Sequence, residues 1–299
     1  MEILLARDMG FCWGVRRAID IMERTAAERG EIVSLGPIVH NPQVVRELEE
    51  KGVRTNSEVI DGNEALVAIT AHGARPEVLQ DARARDTEVI DTTCPIVTRS
   101  QRWARKMAGE GFTVIVFGDR DHREVQGVLG WAGPNGLALA DGEPIPEGLP
   151  ARVAVISQTT QSPKRFAEFL SRLVHQQANK INELRVINTL CDVTSSQQAA
   201  ARDLAQEVDV MLIVGGRSSA NTRHLLEVCE DEKVTAYHVE SAAEVKTDWL
   251  KGCRRLGITA GASTPDSAIE AVVTHAQRIA AELQTVNNRH TLPRGHNRS

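Results

Sequence analysis

Three cysteines occupy positions from which they could bind a metal. Cys12, Cys94 and Cys191 each follow an apolar run (EILLA, TEVID, LRVIN) and precede a helix-like stretch that begins VRRAID, PIVTRS or DVTSSQ. A cysteine at such a junction offers its sulfur at the carboxyl end of a strand, where open parallel sheets collect their ligands. Taken singly, each would read as a small buried hydrophobe. Their surroundings repeat, however. His40, His122 and Ser219 each lie 28 positions after one of the three cysteines, in the polar loops PIVHNP, DRDHRE and RSSANT. A further strand closes each unit (LVAIT, RVAVIS, RLGIT) and ends in a turn that carries His72, Thr159 or Ser263.

Three sulfurs from equivalent positions suit zinc or an iron–sulfur cluster. Structural zinc takes four protein ligands, usually in closely spaced pairs, and the chain has no CxxC pair. A 4Fe-4S cluster on three cysteines leaves one iron open to polarise a substrate oxygen. Cys229 and Cys253 share neither the offset nor the strand-end context and read as structural.

His40, His72 and His122 stand beside predicted helix starts, at Asn41-Pro42, Arg75-Pro76 and Arg123-Glu124. Free N–H groups and partial positive charge there favour phosphate oxygens. Ser219, Asn221 and Ser263 add neutral donors, and the Ser-Ser-Ala-Asn run also makes a good helix cap. Glu124 is placed to hold or relay a proton, or simply to favour the dipole of its helix. Thr159 would orient a substrate hydroxyl or cap the helix that follows Pro163.

The elements that must position these groups alternate short β-branched runs with amphipathic helices, an α/β pattern with mainly parallel sheets. The repeat predicts three related α/β lobes over residues 1–93, 94–190 and 191–284, followed by a mobile tail at 285–299. If the lobes surround a pseudo-threefold axis, the cysteines meet at one point and the polar loops line a cavity above them. A net charge of −5 and a pI near 6.0 argue against a broad nucleic-acid surface. Apolar runs such as VIVF and MLIV are too short to cross a bilayer, and MEILLARD lacks the basic start of a secretion signal. A cytoplasmic protein with reduced cysteines is expected. GxGxxG, GxxxxGK[ST] and GxSxG motifs are absent, which removes nicotinamide-binding, P-loop and serine-hydrolase readings.

The motifs, taken in order, resemble the 4-hydroxy-3-methylbut-2-enyl diphosphate reductase family of the non-mevalonate isoprenoid pathway. GFCWGVRRAI, DTTCP and CDVTSSQQ are similar to its cysteine motifs, and IVHNPQVV, TAHG and DHREVQG to its histidine motifs. SQTT, SSANT and TAGASTPD are similar to its threonine turn and last phosphate loops, so the likeness spans Met1 to about Leu283. It implies a trefoil of three lobes around one 4Fe-4S cluster on Cys12, Cys94 and Cys191, whose open iron takes the substrate hydroxyl. It also implies reductive dehydroxylation to isopentenyl and dimethylallyl diphosphates, with ferredoxin or flavodoxin as one-electron donor. By position, Glu124 becomes the proton donor and Thr159 orients the hydroxyl. His40, His72, His122, Ser219, Ala220, Asn221 and Ser263 become the diphosphate clamp. Ala220 stands where some members have a second serine, so that it offers only its backbone N–H, and Trp13 stands where others have a small residue. The competing expectations are a metal- or cluster-containing sensor of a phosphorylated metabolite, and a thiol-based enzyme.

Overall fold

The computed structural model describes residues 1–56 and 66–290. The chain opens with β1 (Glu2–Leu5), α1 (Trp13–Arg29), β2 (Ile32–Leu35), α2 (Pro42–Glu50), β3 (Val53–Asn56), β4 (Leu66–Ile69), α3 (Pro76–Ala84) and β5 (Glu88–Asp91). Next come α4 (Pro95–Gly109), β6 (Thr113–Phe117), α5 (Arg123–Ala132), β7 (Gly136–Leu139), β8 (Arg152–Ser157), α6 (Pro163–Gln177) and β9 (Glu183–Val186). The remainder is α7 (Asp192–Ala205), β10 (Val210–Val214), α8 (Ala220–Asp231), β11 (Thr235–Val239), β12 (Arg255–Ala260) and α9 (Asp266–His290).

Three four-stranded parallel sheets result, ordered β3-β2-β4-β5, β7-β6-β8-β9 and β11-β10-β12-β1. Their central strands, such as TVIVF and VMLIV, are apolar on both faces because helices cover each side. The sheets share one plan, and this reveals a circular closure that the sequential lobes of the sequence reading did not contain. β1 belongs to the third sheet, pairing Glu2–Leu5 with Arg255–Ile258 of β12. It fills the place that β5 and β9 hold in the other two. Each cysteine therefore lies where the edge strand of one lobe passes into the first helix of the next. Parallel pairing is non-local, so nothing in EILLA itself told which sheet it joins.

The helices after the cysteines point a narrow buried stripe inward. In α1 it is Gly14, Ala18, Met22 and Ala26, a spacing of four that keeps one face toward the first lobe's core. α9 packs against the core of the third lobe. Ile269, Val272, Ala276 and Ile279 hold its core face, and the helix continues to His290. Residues 291–299 lie outside the described residues.

In the second lobe, Phe117 stacks on Phe166 and Phe169, with ring centroids 5.7 and 4.7 Å away, beneath the loop that leads to His122. Phe169 is fully buried. The Phe169→Ala protein is expected to lose about 3–5 kcal/mol of stability, measurable as a lowered denaturant midpoint with an unchanged m-value.

Candidate active site

Cys12, Cys94 and Cys191 are the N-cap residues of α1, α4 and α7. Each is pinned by its own N–H to a strand-end turn, on the carbonyls of Ala262 (3.0 Å), Ala71 (3.0 Å) and Thr159 (2.8 Å). A second set of bonds links each helix to the loop before the next cysteine. Arg17 donates to the Thr93 carbonyl at 3.3 Å, Arg99 to the Asn188 carbonyl at 2.6 Å, and Ser196 to the Asp8 carboxylate at 2.7 Å. The donors are the fifth residues after the three cysteines, so the ring closes on itself.

The sulfurs converge. A Cβ added to Gly14 would lie 2.7 Å from Cys94 Sγ and 3.9 Å from Cys12 Sγ, so glycine leaves the space that both thiols use. Burial raises the pKa of Cys12, and the thiols of Cys94 and Cys191 push it the same way. Burial also raises Cys94, with Cys191 and Glu124 adding to it. Such thiols ionise poorly on their own, and a bound cationic centre at three helix N-termini is what would hold them as thiolates. An all-sulfur set with no nitrogen or carboxylate among its donors fits an iron–sulfur cluster. Cys229 is fully buried, its pKa pushed up to about 12 by burial, and it packs in the third lobe's core.

One cavity is lined by all twelve residues singled out from the sequence, the three cysteines among them. His40, His72 and His122 cluster there, with ring centroids 4.2, 5.2 and 5.5 Å apart. Burial is the main cause that holds all three imidazoles neutral. It lowers His40 to about 4 with help from Arg123 and Arg223, lowers His122 to about 3, and places His72 well below its ordinary value.

Their nitrogens lie close enough to suggest a metal site, but the hydrogen bonding favours an anion. His122 Nδ1 accepts the Glu124 N–H at 3.1 Å, so a neutral ring carries its proton on Nε2. A ring in that state donates and does not ligate. Thr70 Oγ1 lies 3.3 Å from His72 Nδ1 and can set the same tautomer there. At two of the three helix starts beside these histidines, N-terminal N–H groups already have side-chain partners, whereas α3 has no side-chain cap. Asn41 Oδ1 already takes the Gln43 and Val44 N–H groups at the start of α2, and His122 takes its own at α5. The imidazoles themselves are what these loops offer.

At the start of α8, Ser219 Oγ accepts the Thr222 N–H at 3.3 Å, leaving the hydroxyl proton to donate. The N–H groups of Ala220 and Asn221 are among those a helix cannot satisfy internally. Asn221 is oriented by a residue the sequence reading missed. Gln197 donates to the Gly10 carbonyl at 2.9 Å and so turns its own oxygen toward Asn221 Nδ2, at 3.0 Å. Ser263 Oγ donates to the His40 carbonyl at 3.3 Å, joining the third lobe to the first.

Glu124 is 2% exposed. Its Oε1 accepts the Thr159 N–H at 2.6 Å and its Oε2 accepts the Thr159 hydroxyl at 2.9 Å. Burial raises its pKa to about 7, and the two Thr159 bonds restrain that rise. A protonated Glu124 would reverse the hydroxyl bond, so that Thr159 could pass its own proton into the cavity.

Residues 3–277 match the LytB protein family model. Proteins named 4-hydroxy-3-methylbut-2-enyl diphosphate reductase are 44% identical in Dehalococcoides mccartyi strain CBDB1, over 94% of this chain and 99% of that one. The protein of the same name in Geobacter sulfurreducens is 42% identical, over 93% and 97%. The solved E-1-hydroxy-2-methyl-but-2-enyl-4-diphosphate reductase from Plasmodium falciparum superposes with a TM-score of 0.83 at 25% identity, over 91% of this chain and 87% of that one. A second solved structure, titled as the terminal enzyme of the non-mevalonate pathway, is 38% identical with a TM-score of 0.66, over 93% and 100%.

Replacing Gly14 by alanine puts a methyl group against Cys94 Sγ in a helix that cannot move without dragging Cys12. The G14A protein is expected to fold, by circular dichroism, yet to retain less than about half of the bound metal and sulfide of the parent, because a contact this close forces the sulfur to shift.

Proposed function

The chain belongs to the LytB family, and on that premise we propose that it is a 4-hydroxy-3-methylbut-2-enyl diphosphate reductase. Substrate, two electrons and two protons give isopentenyl or dimethylallyl diphosphate and water. The observation that carries this reading is the single cavity that joins three thiols to neutral imidazoles and one buried carboxyl. Cys12, Cys94 and Cys191 would hold one 4Fe-4S cluster, which when bound supplies single electrons and an open Lewis-acid iron.

The chain's own groups divide the remaining work. His40, His72 and His122, with Ser219, Asn221, Ser263 and the Ala220 N–H, hold the diphosphate through neutral donors and exclude water from around it. Glu124 stores a proton at Oε2, and Thr159 Oγ1 relays it to the departing hydroxyl. Burial is what keeps that proton available near neutral pH, since an exposed glutamate would already be ionised. The electron donor is a ferredoxin or flavodoxin of the cytoplasm. Trp13, which follows Cys12 in the chain, is 62% exposed. Among the described residues no helix is long and apolar enough to cross a membrane.

Anaerobic purification followed by iron and sulfide analysis, and turnover of the diphosphate with a reduced one-electron donor, tests the reading. Zinc without sulfide would overturn it. Because Glu124 must be protonated to act and has a pKa of about 7, kcat is expected to be level below that pH and to fall above it, approaching tenfold per pH unit. Glu124→Gln should lower kcat by roughly 10²–10⁴ with substrate affinity largely kept, measured by single-turnover kinetics and equilibrium binding.

A further inference from the structure

One guanidinium near the histidine cluster has, among the described residues, no carboxylate partner. Arg123 is the first residue of α5, between His122 and Glu124. Its Nη1 reaches out of the second lobe and donates to the Leu35 carbonyl at the end of β2, at 2.9 Å. The seat accepts nothing bulkier than bare backbone. Gly36 has φ +95°, and a Cβ there would lie 2.3 Å from Nη1 and 2.4 Å from Cζ of Arg123. The Ser34 hydroxyl donates to the Gly36 carbonyl at 2.6 Å, in a buried bond that fixes the turn. Among the described residues no carboxylate lies within ion-pair range of Arg123. Arg223, the other cation near the cluster, is paired with Asp119 at 3.1 Å.

Arg123 does not line the cavity. Its charge nevertheless reaches the imidazoles, since it is among the causes that lower His40 and His72. A diphosphate carries several negative charges into a chamber whose side-chain donors are neutral, so a positive charge close behind them is the available compensation. The same side chain sets where α5 begins relative to the loop that carries His40, and so bears on how His122 faces its partners.

We propose that Arg123 is a positioning residue of the diphosphate site: seated on Gly36, it fixes the His122 end of α5 against the first lobe and supplies fixed positive charge to the anion through the imidazoles. The inference rests on the diphosphate reading of the cavity. It concerns a residue whose side chain never touches the substrate.

The test uses anaerobic holoenzyme and three variants, R123M, R123Q and R123K. KM and kcat are measured with a chemical one-electron reductant, and inorganic diphosphate affinity by calorimetry. R123M is expected to raise KM and the diphosphate Kd about tenfold, with kcat within about threefold of the parent and iron content unchanged. R123K, which keeps the charge, should recover most of that loss. KM and Kd within about twofold of the parent in R123M would overturn the proposal, as would a defect that tracks loss of iron. Should R123M fail to fold, R123Q reads the same quantities, because it removes the charge while keeping a polar amide at that position. A parent protein that neither turns over nor binds inorganic diphosphate overturns the reductase reading and the inference together, and is recognised before any variant is compared.

Discussion

Everything else in the fold answers to one constraint: three half-buried sulfurs must meet at a point that no single lobe can reach. Thiols brought together out of water raise one another's pKa, as burial already does for Cys12 and Cys94. The arrangement is therefore stable only if the backbone around each sulfur is held from several sides. Each cysteine N–H is fixed on the strand-end turn of the lobe it leaves, while its helix runs into the lobe that follows. The ring of bonds from Arg17, Arg99 and Ser196 ties every cysteine helix to the loop before the next cysteine. β1 completes this geometry. By pairing with β12 it puts Cys12 at the same kind of junction as Cys94 and Cys191, although it begins the chain.

Above the sulfurs the chemistry changes character within one cavity. The thiols need a cation to become good ligands, whereas the imidazoles are held neutral and present N–H donors. Neutral donors suit an anion that must leave again as part of the product, because a buried ion pair costs desolvation on both sides. Charge is still required. On the reading proposed above it comes from behind, from Arg123 on its glycine seat, whereas Arg223 is held to Asp119; neither guanidinium lines the cavity. Glu124 occupies the wall between these environments, where burial raises its pKa and Thr159 limits how far.

The parts of this design visible in the sequence are those that repeat. The common 28-residue offset from Cys12 to His40, Cys94 to His122 and Cys191 to Ser219 marked the site, and the structure brings all six to one cavity. Strand and helix types followed from apolar periodicity, which is local. The membership of β1 in the third sheet did not, because parallel pairing joins residues some 250 positions apart and leaves no local trace. The second use of His122 as a helix cap was also hidden, since histidine is not among the usual capping residues. Gln197 and Arg123 escaped notice for a different reason. Each acts through another side chain, and a glutamine or arginine on a helix face reads as solvated surface until its partner is seen.

The threefold plan is followed most closely where the three positions do one job and is abandoned where they do not. The cysteines, their place at a helix N-terminus and their N–H anchors recur in every lobe. In the polar loops the equivalents are His40, His122 and Ser219, and in the strand-end turns they are His72, Thr159 and Ser263. Among the described residues only the second lobe carries a buried glutamate beside its loop histidine, and its bonding partner Thr159 comes from that lobe too. A symmetric metal centre can be served by a symmetric scaffold. A substrate with a diphosphate at one end and a hydroxyl to be lost at the other cannot, because its two ends demand different donors. The departures from the repeat therefore give the cavity unlike groups along its wall, the histidine cluster on one hand and the Glu124–Thr159 pair on the other.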